Sequence, residues 1–271
     1  MKKFLFAMVL SLLGAASLAT AGLAETVTIY TGTKGGGYDK QAQNIAARLA
    51  QRGMEAVVEN RNGSDDITLQ ACQNDNSMWI AQIDALYKRE MKDGCYLSVV
   101  ADYGDEVAML LFPPDSDLDD LDELDSSHKV FVAKVGSGSE LSFKNMQAIE
   151  KEHGRSDEWS DAEAVTGDLR RLNALANRGK VNAAFLVMKP TDNRIIKLLD
   201  TGWELGYLYD KDINDLKFGE LPLYEAVKYE TYKGSKTVKA WGYVVKSFIG
   251  TTEYVESDNM DAFDAMLSAL E

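Results

Sequence analysis

The sequence has few of the residues from which catalytic and metal sites are built. Among 271 residues there are two cysteines and two histidines, and no His-Glu-x-x-His or Cys-x-x-Cys spacing occurs. Zinc sites need such clusters, and α/β-hydrolases need a Gly-x-Ser-x-Gly turn, which is also missing. A Ser-His-Asp arrangement stays open, but His128 and His153 both lie in polar segments typical of a protein surface. We therefore expect no metal, no cofactor and no enzymatic activity.

Basic residues are scarce as well. The chain has 29 lysines and arginines against 43 aspartates and glutamates, a formal net charge of -14. A protein this acidic repels polyphosphate, which excludes sequence-independent binding of nucleic acid as the main function and disfavours an anionic membrane surface. The hydrophobic fraction of 45% is ordinary for a globular protein. The length indicates about two domains.

Long hydrophobic runs are absent except at the N-terminus. Two lysines precede the apolar residues 4–18, and small residues follow up to Ala24. This layout is typical of a secretory signal peptide, whereas an uncleaved membrane anchor would need roughly 20 apolar residues. Cleavage after Ala21 or Ala24 fits the pattern, and Ala24 is favoured because strand-like sequence starts at residue 26. We predict a signal peptide over 1–24 and a periplasmic mature chain, whose net charge is -16 because two lysines and no acids are removed.

Export changes how the two cysteines are interpreted. In an oxidising compartment an even number of cysteines usually pairs, so Cys72 and Cys95 are expected to form a disulfide. Two buried free thiols are the alternative. The bond would stabilise the fold by about 3 kcal/mol in the chain-entropy model.

Short apolar runs alternate with helical periodicity along the mature chain. Strands are predicted at 26–30, 55–59, 78–83, 97–101, 107–112, 130–135 and 181–187. Helices are predicted at 38–51, 65–74, 139–152 and 167–178. Repeated strand–helix–strand units indicate an α/β fold with a mostly parallel sheet flanked by helices. With four prolines and no low-complexity linker, the two domains are expected to be joined by ordered segments.

An acidic segment divides the chain near its middle. Residues 115–125 contain seven acids. Their spacing resembles the start of a calcium loop, but Asp120 stands where that loop needs glycine and Ser126 where it needs glutamate. We predict a short amphipathic helix whose acidic side faces solvent.

Three loops combine glycine or hydroxyl residues with the start of a helix. They lie at 30–38, 62–64 and 136–139. Free N–H groups at a helix N-terminus, together with the helix dipole, form an anion site, and glycine lets a ligand approach closely. The simpler alternative is a tight turn in which Ser64 or Ser139 caps the helix, worth about 1 kcal/mol. None of the loops matches a Walker A or dinucleotide-binding motif.

The order of these motifs resembles the TAXI family, the substrate-binding receptors of one branch of TRAP transporters. The resemblance covers residues from about 26 to the C-terminus. It rests on TGTKGGGY at 31–38, Gly63-Ser64, the strand ending in Gln82, GSGS at 136–139 and GKVNAAF at 179–185. It implies a type II periplasmic binding protein fold with two α/β lobes. Lobe 1 would comprise 25–107 plus 238–271 and lobe 2 would comprise 108–237, with crossings near 107–112 and 231–243.

The resemblance also implies a function. A monomeric receptor would capture a small organic anion between its lobes, namely an amino acid such as glutamate, a dicarboxylate or a keto acid. It would deliver this ligand to a TRAP-type membrane permease. A periplasmic sensing module that presents its ligand to a sensor kinase or chemoreceptor would have the same fold and remains the alternative.

Candidate ligand contacts follow from the loops and the resemblance. They are Thr31, Lys34, Gly36, Gly37, Tyr38, Ser64, Gln82, Ser137, Gly138, Ser139, and Lys189 or Asn193. Tyr38 would donate its hydroxyl or stack on the ligand, or else pack in the core. Lys34 and Arg61 are candidates for the counter-charge, or else solvated loop residues.

Overall fold

The computed structural model describes residues 26–152 and 158–270. The predicted signal peptide with both cleavage sites, and His153, lie outside these residues. Within the described part, no helix has the length and apolar character needed to cross a membrane.

Twelve strands are present in the described residues. They are β1 (Val27–Thr31), β2 (Ala56–Asn60), β3 (Ser77–Gln82), β4 (Leu97–Phe112), β5 (Lys129–Phe131), β6 (Glu163–Val165), β7 (Ala183–Met188), β8 (Glu204–Leu205), β9 (Lys217–Phe218), β10 (Leu221–Pro222), β11 (Glu225–Lys233) and β12 (Lys236–Thr252). Ten of them form one sheet in the order β2-β1-β3-β12-β4-β7-β5-β6, with β11 beside β12 and β8 beside β4.

Nine α-helices accompany these strands in the same described ranges. They are α1 (Gly37–Gln51), α2 (Ser64–Ala71), α3 (Ile83–Lys88), α4 (Gly138–Glu152), α5 (Leu172–Ala176), α6 (Asn193–Asp200), α7 (Lys211–Asp215), α8 (Glu253–Ser257) and α9 (Met260–Leu270). The fold is therefore α/β, as predicted.

Two long strands connect the lobes of this fold. β4 and β12 pair antiparallel from Tyr243 and Ala108 to Thr252 and Leu97. Lobe 1 consists of the parallel strands β1–β3 with α1–α3, α8 and α9, and β3 pairs with the C-terminal part of β12. Lobe 2 consists of the parallel strands β5–β7 with α4–α7, and β7 pairs with the C-terminal part of β4. Both crossings between the lobes thus run along paired β-strands.

The sequence predicted two strands where β4 is continuous. The polar residues between 101 and 107, with Gly104, resemble a turn. In the structure they stay extended because they pair with β12, and the pairing register shifts twice, beside Ser247 and beside Gly250. Gly104 adopts a φ of 147°, which side-chain-bearing residues rarely adopt. A pair of β-bulges therefore replaces the predicted break.

Apolar packing is continuous from one lobe to the other. Lobe 1 has its own core around Ile29, Ile45 and Ile80, and lobe 2 has one around Leu186 and Trp203. A further cluster combines Trp79 and Ile83 of lobe 1 with Phe143, Trp159 and Phe185 of lobe 2. Helix α4 of lobe 2 lies against α2 and α3 of lobe 1. The lobes are therefore in contact in this structure.

Two predicted helices are much shorter in the structure than expected. The predicted helix at 167–178 is a 3-10 turn, Leu169–Arg171, followed by the short α5. The acidic segment forms only a 3-10 turn, Leu121–Glu123, in place of an amphipathic α-helix. Leu121 and Leu124 are buried there and hold the turn against the core.

The expected disulfide is confirmed. Cys72 and Cys95 are bonded with Cα atoms 6.1 Å apart, within the normal range for a disulfide. The bond joins the end of α2 to the residues that precede β4, so it ties lobe 1 to the start of a crossing strand.

Candidate functional site

A cavity of about 260 Å³ lies where the two lobes face each other. Its walls are formed by Gly32, Thr33, Gly36, Gly37, Tyr38, Asn62, Gly63, Ser64, Gln82 and Glu106 from lobe 1 and β4, and by Ala133, Ser137, Gly138, Ser139, Val187, Met188 and Arg194 from lobe 2. This volume lies below the roughly 300–1,000 Å³ of pockets for drug-sized ligands, so the cavity suits a small molecule. It also lies at the carboxyl ends of β1, β3 and β7, where open α/β sheets bind ligands.

The loop between β1 and α1 is held in shape by one buried carboxylate. Asp39 accepts hydrogen bonds from the Gly35 N–H at 2.7 Å and from the Asn60 side-chain amide at 2.9 Å. These bonds lower the pKa of Asp39. Asn60 also donates to the Gly32 carbonyl at 2.8 Å. The first N–H groups of α1, beginning at Gly37, have no partner within their helix and are available at the cavity wall.

Matching serines anchor the helix N-termini of the two lobes. The Ser64 hydroxyl at the start of α2 accepts a hydrogen bond from the Gln82 N–H at 3.2 Å. The Ser139 hydroxyl at the start of α4 accepts one from the Val187 N–H at 2.9 Å. Neither serine caps its helix, so the capping interpretation of these residues was wrong. Each serine fixes a helix N-terminus beside the end of a strand, with both elements at the cavity.

An acidic group lies in the same cavity. Glu106, on the crossing strand β4, accepts hydrogen bonds through Oε2 from the Gln82 amide at 2.8 Å and the Tyr38 hydroxyl at 3.2 Å. Burial raises the pKa of Glu106, although these bonds counteract the effect. Its Oε1 has no partner among the described residues. Tyr38 also contacts Ser247 at 2.6 Å and Tyr103 edge-on at 4.9 Å between ring centroids, so it both packs and forms hydrogen bonds.

One further polar atom at the cavity lacks a partner. Gln82 is 3% exposed, and its Oε1 makes no hydrogen bond within the described part of the chain. The same side chain lines the cavity. A buried amide oxygen without a partner is costly, so a ligand that donates to it would stabilise the site.

A single arginine provides a full positive charge to the cavity wall. Arg194, in the first turn of α6, donates to Asp192 through Nε at 2.9 Å and Nη2 at 2.8 Å. This pair lowers the pKa of Asp192 and fixes the plane of the guanidinium. Nη1 makes no hydrogen bond within the described residues.

Eight of the twelve residues predicted from the sequence line the cavity. They are Gly36, Gly37, Tyr38, Ser64, Gln82, Ser137, Gly138 and Ser139. The other four do not line the cavity: Thr31 is buried at the end of β1, and Lys34, Lys189 and Asn193 are exposed to solvent.

The remaining residues singled out in the sequence lie elsewhere. Arg61 pairs with Glu59 and stacks on Tyr30 at 5.0 Å, outside the lining. His128 contacts Asp125 at 2.8 Å in the turn before β5 and is not part of the cavity wall.

Glu106 and Arg194, the two charged residues of the cavity wall, were not predicted from the sequence. Glu106 lies in the polar segment between residues 101 and 107, which resembles a turn in the sequence and was not expected to reach the cavity. In the region of Arg194, Lys189 and Asn193 were named from the sequence as candidate contacts instead. Arg194 lies two residues after Asp192, and this spacing places both side chains at the start of one helix. That spacing was the available signal.

The lobes touch at two glycines of the cavity wall. A Cβ added at Gly63 would lie 1.8 Å from the Gly136 carbonyl oxygen, and one at Gly138 would lie 2.1 Å from Oε1 of Gln82. Both contacts join lobe 1 to lobe 2. Only glycine permits the lobes to approach this closely.

Comparison with known proteins yields structural matches only. No family model and no curated protein matches the sequence. A structure described as that of a periplasmic transporter is 15% identical, with 91% of this chain and 84% of that chain covered and a TM-score of 0.48. The substrate-binding protein of an amino acid ABC transporter is 13% identical, with 90% and 91% covered and a TM-score of 0.47. The periplasmic aliphatic sulphonate binding protein SsuA from Escherichia coli is 12% identical, with 91% and 74% covered and a TM-score of 0.47. These similarities concern the fold alone.

Proposed function

We propose that the protein is an extracytoplasmic receptor that binds a small organic anion between its lobes. The observation that carries the proposal is the convergence of three helix N-termini on one cavity. α1 and α2 from lobe 1 and α4 from lobe 2 all begin at its wall. Their free N–H groups and positive dipole ends favour an anion, and Arg194 adds a charge. The acidic surface of the chain does not oppose this, because charges beyond about 8 Å are screened.

The proposed mechanism is closure of the lobes around the ligand. Residues 25–107 with 238–271 would move against 108–237, and β4 and β12 would carry the hinge. The contact between Gly63 and Gly136 supports closure, because it joins backbone to backbone at the cavity wall. Exclusion of water on closure strengthens the hydrogen bonds to the ligand.

Among the ligand classes, an amino acid such as glutamate fits the cavity better than a dicarboxylate or a keto acid. Among the described residues, the hydrogen bonds that Glu106 accepts from Tyr38 and Gln82 both go to Oε2, which leaves Oε1 open, and the buried Oε1 of Gln82 has no partner. Both are acceptors, which an ammonium group satisfies. A ligand with carboxylates alone would place a second negative charge beside Glu106, at a cost unless Glu106 is protonated.

Export to the periplasm and delivery to a TRAP-type permease complete the proposal. They are supported by the N-terminal signal-peptide pattern and by the motif order at 31–38, 63–64 and 136–139. Crosslinking of the ligand-loaded protein in the periplasm would identify its partner. Recovery of a sensor kinase or chemoreceptor in place of a permease would contradict the transport role.

A thermal-shift panel tests the binding function. The mature chain would be melted with amino acids, dicarboxylates and keto acids, and with a sugar and divalent metals for comparison. A ligand at 100 times its dissociation constant stabilises by about 2.7 kcal/mol. Stabilisation by an organic anion is the expected result. Stabilisation by the sugar or a metal, with none by any anion, would refute the proposal.

A further inference from the structure

A buried carboxylate lies directly between the lobes. Asp84, in the first turn of α3, is completely buried. Its Oδ2 accepts hydrogen bonds from the Ser142 hydroxyl and, at 3.2 Å, from the Tyr224 hydroxyl. Asn145 donates to its backbone carbonyl at 3.2 Å. Asp84 belongs to lobe 1 and all three donors belong to lobe 2.

The residues of this contact lie close to the cavity lining in both lobes. Gln82, two residues before Asp84, lines the cavity, and so do Gly138 and Ser139 at the start of α4. Ser142 lies about one turn further along the same helix. The hydrogen bonds of Asp84 therefore hold α4 against α3 within about one turn of the α4 N-terminus at the cavity wall.

No cation neutralises Asp84 within the described residues. The elements around Asp84 carry several titratable residues. These are Tyr38 on α1, Tyr87 and Lys88 on α3, Arg89 directly after α3, Glu140, Lys144 and Glu150 on α4, Tyr224 directly before β11, and Glu225 at the start of β11. Lys88 and Arg89 pair with Asp65, and Lys144 pairs with Glu140. The phenols of Tyr38 and Tyr224 have raised pKa values, so they stay neutral below pH 8. In the part of the chain that the structure describes, only hydrogen bonds hold the Asp84 carboxylate, and its Oδ1 has no partner.

We propose that Asp84 is a positioning residue for ligand binding, which joins α4 to lobe 1 when the lobes close and takes up a proton as they do so. This inference rests on the proposed closure of the lobes. In an open form water would reach Asp84, whose pKa would be near the ordinary value of 3.8. In the closed form burial raises the pKa to about 6, although the bonds from Ser142 and Tyr224 oppose the shift.

The sign of the resulting pH dependence follows from that difference. The closed form holds the proton more tightly, so lowering the pH from about 6 towards 4 favours closure and tightens binding. Above about pH 6 Asp84 is ionised in both forms, and the advantage is lost. With these values, affinity is expected to rise about tenfold between pH 7 and pH 5.

Calorimetric titration of L-glutamate at pH 5, 6 and 7 tests the inference. The wild type should bind about tenfold more tightly at pH 5 than at pH 7. Asp84→Asn preserves the acceptor for Ser142 and Tyr224 but cannot ionise, so its affinity should not vary over this range. Asp84→Ala removes the contact and should bind weakly at every pH. Asp161→Asn, at an exposed acid that pairs with Lys151 and does not line the cavity, should keep the wild-type ratio between pH 5 and pH 7.

A second measurement separates this inference from the proposed ligand. Small-angle scattering of the ligand-free chain at pH 5 and pH 7 reports lobe closure without any ligand. A smaller radius of gyration at pH 5 in the wild type, absent in Asp84→Asn, supports the role of Asp84 even if L-glutamate does not bind. If L-glutamate binds and the pH dependence persists in Asp84→Asn, the inference is overturned and the receptor function stands. A wild type with no pH dependence in either measurement overturns it as well.

Discussion

Gly63 of lobe 1 and Gly136 of lobe 2 lie so close that a Cβ on Gly63 would be 1.8 Å from the Gly136 carbonyl oxygen. The two residues precede α2 and α4, whose N-termini line the same cavity. Their contact therefore brings the two walls of the cavity together at backbone distance.

Gly63→Ala should impair ligand binding without weakening the fold. The backbone of Gly63 has a φ of 166°, which is extended and open to any residue, so the added methyl group acts only on the contact with lobe 2. We expect at least a tenfold loss of affinity in calorimetry and little change in the urea midpoint of the free protein.

Gly53→Ala is the matched control for that substitution. Gly53 has a φ of 80° with nothing within 4 Å of its added Cβ, and it lies outside the cavity. Backbone strain should lower stability by about 1 kcal/mol while ligand affinity stays unchanged. If Gly63→Ala and Gly53→Ala lost affinity equally, the loss could not be attributed to the contact between the lobes.

Arg194→Ala should weaken binding of any carboxylate ligand. The guanidinium lines the cavity and is oriented by Asp192, so its loss removes a charge-assisted hydrogen bond, worth about tenfold to a hundredfold in affinity. Lys189→Ala removes an exposed positive charge from the same lobe and should change affinity less than twofold. If Lys189→Ala weakened binding more than Arg194→Ala did, Lys189, the contact predicted from the sequence, would be the residue that binds the carboxylate.

Glu106→Gln should reverse the preference between amino acids and keto acids. Glutamate and 2-oxoglutarate share both carboxylates and differ in the ammonium group that Glu106 would pair with. The wild type is expected to prefer glutamate, and the variant should lose glutamate affinity and gain affinity for 2-oxoglutarate. A wild type that prefers 2-oxoglutarate would rule out this role for Glu106 while leaving the receptor function intact.

Replacement of both cysteines by serine should destabilise lobe 1. Cys72 and Cys95 are 23 positions apart, and loss of their bond should lower the free energy of unfolding by about 3 kcal/mol. Urea denaturation measures this change. Affinity should be retained under native conditions, because neither cysteine lines the cavity. A variant as stable as the wild type would show that the bond contributes no net stability.

The sequence was sufficient for the class of fold and for the loops that meet at the cavity. Gly-rich turns between a strand and a helix have strong local signals, and 31–38 and 136–139 both lie where those signals indicated. The disulfide also followed from the expected export and an even cysteine count. These features depend on neighbouring residues or on simple counting.

Features that depend on distant pairing could not be predicted in this way. β4 is continuous because β12, more than 130 residues away, pairs with it and tolerates bulges near Gly104. Glu106 becomes a cavity residue only through that pairing. Asp84 gains its environment from Ser142 and Tyr224 in the other lobe, and no local pattern reveals that the lobes meet there.

A crystal structure of the mature chain with the best ligand of the panel would show directly whether the cavity between the lobes is the binding site. We expect the ligand to lie between the lobes, with a carboxylate at the N-termini of α2 and α4 and near Arg194, and with its ammonium group at Glu106. A ligand bound outside this cavity, or one bound within it with no carboxylate at these helix N-termini, would rule out binding of an anion by the helix N-termini.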